Sequence, residues 1–183
     1  MALVVKSARS IAPAKHYGFY STPSETFKEA AGQTFKKGTP LVFTAGGSTV
    51  EQDTSNPLSI VAIAENDATG TTNADVRAIP LVDGQLFVGV LGNGDETDYT
   101  LAQTDVGDVY GLDLDSTHFG WFVDKQNTAV LTVKVRVVKL LDPAGTVNGR
   151  VFFRFLDFVF DSDAAVASQI AVVNGWKVYA ATA

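Results

Sequence analysis

Residues 129–137 read Ala-Val-Leu-Thr-Val-Lys-Val-Arg-Val, with Leu131, Val133, Val135 and Val137 on one side of an extended chain and Thr132, Lys134 and Arg136 on the other. A strand turns successive side chains to opposite faces, so this alternation predicts a strand with one buried and one wetted face. Comparable runs predict strands at 39–44, 58–64, 74–79, 85–91, 109–114, 119–123, 128–141 and 150–160, with a short edge strand at 2–6 and a last strand at 176–180. After Val137 the alternation slips, because Val138 and Leu140 continue the apolar set around Lys139. One inserted residue that reverses facing is the mark of a β-bulge. Between the runs lie Gly46-Gly47, Asn56-Pro57, Asp83-Gly84, Asn93-Gly94, Asp142-Pro143 and Asn148-Gly149. Gly and Asn accept positive φ and Pro presets one turn angle, so each pair is a turn signal. Many short strands with turns between them predict an all-β fold, an antiparallel β-barrel or sandwich. Ser162 or Asp163 as a cap predicts one short helix near the C-terminus, through Ala164–Gln169.

Residues 7–35 follow neither a two-residue nor a 3.6-residue period, yet they carry Tyr17, Phe19, Tyr20, Phe27 and Phe35. Long irregular stretches are usually functional or disordered, and the aromatics require something to pack against. The reading is an extended N-terminal arm over 1–37, ahead of a single β domain over 38–183. Ile11, Tyr17, Phe19 and Tyr20 are its candidate anchors on a neighbouring surface, and Ser24 is placed to cap a short helix over 24–31. Removing residues 1–24 is then expected to leave the barrel folded and to weaken assembly.

At 183 residues the chain is long enough to bury roughly 70% of its unfolded surface without cross-links. It contains no cysteine, which excludes disulfides and thiolate metal sites. No run approaches the ~20 apolar residues of a membrane span, and the start lacks the pattern of a secretory leader. The expectation is a protein made in a cytoplasm, with no membrane contact. The net charge is −6, but residues 1–37 carry six basic and two acidic side chains, a net +4 on an otherwise acidic body. Nucleic-acid binding normally needs a concentrated basic face, so a nucleic-acid partner is not expected.

Candidate chemistry is sparse. Asp115, Ser116 and His118 have the residue types of a triad, but no G-x-S-x-G elbow accompanies them, and a strand-end histidine is the plainer reading. The acidic set Asp95, Glu96, Asp98, Asp105, Asp108, Asp113 and Asp115 is the best candidate for a hard cation. It departs from the D-x-[DN]-x-[DN]-G spacing, so a solvated acidic loop set is preferred and no metal is expected. Gly92-Asn93-Gly94 is not a phosphate loop. Tyr110, Trp121 and Trp176 have the chemistry of a sugar-stacking platform, although one aromatic per strand is more often core. No catalytic residue and no cofactor is expected, and a non-enzymatic role follows.

The segment Gly32-Gln33-Thr34-Phe35-Lys36-Lys37-Gly38-Thr39-Pro40-Leu41-Val42, with Ile60–Ala64 after it, resembles the opening barrel of small tailed-bacteriophage head proteins, the capsid decoration (cement) proteins. Tyr110-Gly111-Leu112, Trp121–Asp124 and Asp142–Val151 are similar to stretches of phage structural proteins. The resemblance implies a β-barrel or β-tulip domain, commonly a homotrimer, seated on the major capsid protein across capsomer junctions of the virion exterior. It carries over no catalytic residues. Other readings are a different minor head protein, a carbohydrate- or receptor-binding β module of a fibre or tail, and a hydrolase.

Overall fold

The computed structural model describes residues 11–14, 23–53, 60–82, 84–94, 98–115, 120–127, 135–156, 170–173 and 176–179. Among the described residues thirteen strands follow in chain order. They are β1 (Ala12–Pro13), β2 (Glu25–Lys28), β3 (Pro40–Phe43), β4 (Val50–Gln52), β5 (Ala62–Ala64), β6 (Asp75–Pro80) and β7 (Phe87–Gly92). Then come β8 (Val109–Asp115), β9 (Gly120–Asp124), β10 (Val135–Leu140), β11 (Arg150–Phe155), β12 (Ile170–Val173) and β13 (Trp176–Tyr179). No α-helix occurs among the described residues, and none of them forms a helix long and apolar enough to cross a membrane. The helix expected over 164–169, the edge strand at 2–6 and the first half of the 128–141 run lie outside the described residues.

Five strands close a barrel in the order β7-β11-β10-β8-β9. Closure comes from a short parallel contact, Leu91 beside Val123 and Gly92 beside Asp124, whereas the other ladders are antiparallel. Closing the ring leaves the barrel strands without open edges, the exposure that otherwise invites aggregation. Inside sit Phe87, Leu91, Leu112, Trp121, Val123, Val135, Val137, Val151, Phe153 and Phe155. Phe155 stands edge-on to both Phe87 and Phe153, at ring separations of 5.2 and 5.6 Å. Two glycines of β7 make room for aromatic rings. A Cβ at Gly92 would stand 2.9 Å from the Phe122 ring, and one at Gly89 3.0 Å from that of Phe153.

The bulge expected after Val137 is present. Val137 pairs with Phe153 and Lys139 with Phe152, so Val138 is the extra residue, and it is 40% exposed. Its consequence is that Val135 and Val137 fill the core while Lys139 is carried to the outer face.

The second body is a five-stranded sheet in the order β2-β6-β5-β3-β4, curled so that its two edges meet at a parallel bridge between Glu29 and Val50. Phe35, Leu41, Val50, Val61, Ala62, Ala64, Val76 and Ala78 fill its interior. β5 joins the two bodies, because Ala62 and Ala64 face this interior while Ile63 turns the other way into the barrel core. Two segments depart from expectation. The helix read over 24–31 is strand β2, paired residue for residue with β6 from Glu25↔Ala78 to Lys28↔Asp75. Ser24 does not cap a helix; its hydroxyl donates to Glu65. Residues 25–36, read as arm, thus supply a strand and the buried Phe35 to the curled sheet.

Candidate functional site

The densest polar constellation among the described residues is built where the β7–β8 connection crosses the end of the barrel. Tyr99, Thr100 and Leu101 are stitched to the β10–β11 turn: Leu101 N donates to Thr146 O (2.9 Å), Asn148 N to Tyr99 O (2.7 Å) and Gly145 N to Leu101 O (2.8 Å). Leu101 fits there because residue 149 is glycine; a Cβ would lie 2.5 Å from the leucine methyl. A short 3-10 turn, Gln103–Asp105, then directs Asp105 inward, where Asp105 Oδ2 accepts the Ala102 amide at 2.8 Å. Gly107, at φ +98, reverses the chain into β8.

Asp105 is fully buried. Its Oδ1 receives the Tyr99 hydroxyl at 2.7 Å and Lys125 Nζ at 2.9 Å, with the Tyr110 hydroxyl 3.3 Å away. The Tyr110 hydroxyl has a closer acceptor in Asp108 Oδ2 at 3.0 Å. Lys125 follows β9, donates also to the Tyr99 hydroxyl, and lies 4.4 Å from the centroid of the Tyr99 ring. A buried carboxylate is tolerated only when it is paired and hydrogen-bonded, and this one is both. Burial works to raise the Asp105 pKa, but the Ala102 amide, Lys125 and Tyr99 outweigh it and hold the carboxyl below its ordinary value. Burial likewise works to lower Lys125, and its bonds to Tyr99 and Asp105 reverse this and raise it. Burial first, then the bond to Asp108, pushes Tyr110 up, and burial raises Tyr99. The charges thus stabilise one another in their ionised forms while both tyrosines stay neutral. Chemically this is an electrostatic staple: it fastens the β7–β8 connection to the end of β9.

A second buried carboxylate, Glu29, does the same for the curled sheet. It accepts Thr69 N at 2.8 Å, the Thr69 hydroxyl at 3.1 Å and Gly70 N at 2.6 Å, holding a loop against the seam where β2 meets β4.

Comparison with protein-family models, curated proteins and solved structures gave no match.

The residues singled out in the sequence fall as follows. Ile11 is buried in this chain's own barrel core, and β1 next to it pairs with β7. Tyr17, Phe19 and Tyr20 lie outside the described residues, as do Ser116, His118, Asp95 and Glu96. Asp98, Asp105, Asp108 and Asp113 do not behave as one solvated group. Asp105 is buried against Lys125, Asp98 accepts the Asn148 amide at 2.6 Å, Asp108 serves Tyr110, and Asp113 accepts the amide of Leu114 at 2.7 Å. No group of three or more metal-ligating side chains converges among the described residues. Of the aromatic platform, Trp121 and Tyr110 are core residues, 1% and 5% exposed. Lys125, Tyr99 and Glu29 are the side chains of these two constellations that the sequence did not single out. The one local signal was Asp105 standing three residues after Ala102, the spacing at which an aspartate bonds back to an amide.

Proposed function

We propose that this chain is a virion structural protein: a capsid decoration (cement) protein that binds the outer surface of a tailed-bacteriophage head and stabilises capsomer junctions. Its partners in this reading are the major capsid protein and further copies of itself, as a homotrimer. It needs no cofactor, membrane or nucleic acid, and it catalyses no reaction.

The observation that carries the reading is where the resembling segments sit. Gly32–Val42 and Ile60–Ala64 supply Phe35, Leu41, Val61, Ala62 and Ala64 to the core of the curled sheet. Tyr110–Leu112, Trp121–Asp124 and Asp142–Val151 fall in β8, in β9 and across the turn into β11 of the barrel. The likeness therefore rests on residues that build both bodies rather than on surface decoration. The physics of the task agrees. A cement protein holds by area and shape, since an exposed ion pair contributes only ~0–1 kcal/mol, while a standard interface buries ~1,600 Å². Two fused β bodies with stapled loops offer such an area at little ordering cost on binding. In this reading Ile11 secures the arm to its own barrel, and Tyr17, Phe19 and Tyr20 provide the apolar contacts with the capsid.

The test is co-sedimentation of the purified chain with shells assembled from its cognate major capsid protein. Saturable pelleting at a fixed ratio to capsomers is the expected result. A chain that stays in the supernatant at every ratio would exclude the decoration role.

A further inference from the structure

Strands β12 and β13 pair only with each other, from Ile170↔Tyr179 to Val173↔Trp176. Among the described residues no ladder joins this hairpin to the barrel or to the curled sheet. A two-stranded hairpin is at best marginal in water, and a third strand is one of the additions that make such a unit stable. Two residues, Asn174 and Gly175, separate the strands. The residues flanking a two-residue connection, Val173 and Trp176, are its hydrogen-bonded closing pair. Hydrogen-bonded and non-hydrogen-bonded pairs alternate from there. Val172↔Lys177 and Ile170↔Tyr179 therefore turn their backbone N–H and C=O groups outward, to edges that no other described strand occupies. β13 carries Lys177, and lysine on an edge strand discourages strand addition. β12 reads Ile-Ala-Val-Val, with no charge, proline or glycine, so its edge is the unguarded one.

One strand-forming stretch of the sequence has no place in either body. Every run read as a strand has at least part of its length in a described strand, except residues 2–6, Ala-Leu-Val-Val-Lys. We propose that residues 2–6 add to the β12 edge of the same chain, as the third strand of a C-terminal sheet. Leu3, Val4 and Val5 are apolar and two of them β-branched, the residue types that suit a strand. Ile11, buried in the barrel core, tethers the segment. An extended chain advances at most about 3.5 Å per residue, so residues 2–6 stay within about 30 Å of that anchor. Such a leash raises their effective concentration at their own hairpin. The net charge of −6 on every copy works against a neighbour supplying the strand instead. Segments from both ends of the sequence are thereby held in one sheet outside the barrel, whose closure uses neither. This pairing is independent of the decoration role.

Amide hydrogen exchange followed by NMR tests it, on the full chain and on the double variant V4P/V5P. Successive residues of a strand donate towards opposite edges, so one of these two prolines removes a donor that faces β12. The expected result is slow exchange of the Ile170 and Val172 amides in the parent and loss of that protection in the variant. The barrel amides of Val137 and Phe153 should exchange alike in both. Fast exchange at both β12 amides in the parent, or protection that survives the prolines, would overturn the proposal. Disulfide trapping gives a second reading, because the chain has no cysteine of its own. Val4→Cys is combined in turn with Ile170→Cys, Ala171→Cys, Val172→Cys and Val173→Cys, and with Lys139→Cys, an exposed position on the barrel, as the control. Mild oxidation should link the chain to itself at one or two of the β12 positions, where neighbouring strands bring Cα atoms within bridging distance, and not at the control. A disulfide that joins two copies, or equal yield at all five positions, would overturn it.

Discussion

Replacing Lys125 with Met removes the cation of the Asp105 staple and keeps most of its aliphatic length. What remains is a carboxylate that is fully buried, still accepting the Ala102 amide and the Tyr99 hydroxyl but with no counter-charge. Breaking a fully buried pair costs about 3–5 kcal/mol, and an exposed pair contributes about 0–1 kcal/mol. This pair is intermediate, because Asp105 is 0% exposed and the Lys125 side chain 35%. The expected loss is about 2–3 kcal/mol, with solvent screening on the lysine side reducing the buried-pair figure. Urea unfolding at neutral pH measures it, provided the slope with denaturant is unchanged. The pH profile gives an independent reading. Asp105 has a lower pKa folded than unfolded, so its contribution is present above the unfolded carboxylate range and lost as pH falls through the folded value. Lys125, Tyr99 and Tyr110 are raised on folding. Their contribution is present below the unfolded values, about 10 for tyrosine and lysine, and is lost as pH rises through the folded ones. The parent should hold a plateau through neutral pH and weaken at both ends. The Lys125→Met variant should begin its acid loss at higher pH, since Asp105 has lost a partner that lowered it. A cost below about 0.5 kcal/mol, the range of ordinary surface substitutions, with an unaltered acid limb, would refute the staple.

Three further outcomes are expected. Gly111→Ala should cost about 1–3 kcal/mol, as over-packing does, because its Cβ would meet Asn127 Cγ at 2.3 Å and displace the side chain that donates to Leu112 O; a thermal melt checks it. Val137→Ala should cost about 2–3 kcal/mol as a core truncation and Val138→Ala less than about 0.5 kcal/mol as a surface change; equal costs in denaturant titrations would contradict the bulge register. Removing residues 1–24 takes β1 and the buried Ile11 from the barrel, so it should destabilise the fold by about 2–5 kcal/mol, as deletion of a buried aliphatic does; removing residues 1–10 alone, followed by the same melt, should spare that loss.

The parts of the fold legible in the sequence were those written in local pattern. β7, β8, β9, β10 and β11 each carry a run of apolar residues, and the slip at Val138 announced the bulge because reversing the facing of Lys139 leaves a trace in the letters themselves. β2 was not legible. Glu-Thr-Phe-Lys is short and half polar, and Ser24 before Glu25 imitates a helix cap; what makes it a strand is β6, some fifty residues away, which supplies the ladder. The parallel closure Leu91↔Val123 has no local mark either, since it depends on where the barrel ends meet. The staple was half legible. Asp105 stood out as acidic, but its burial depends on Lys125 arriving from another strand, and pairing across the fold is what separates a buried carboxylate from a solvated one.

In the proposed decoration role the chain would stabilise a phage head. The most direct measurement is the temperature at which packaged heads release their DNA, followed by a dye in the surrounding solution, with and without the saturating chain. Release at higher temperature is expected when the chain is bound, with the shift reduced by the triple substitution Tyr17→Ala, Phe19→Ala and Tyr20→Ala. An identical release temperature with the chain demonstrably bound would contradict it.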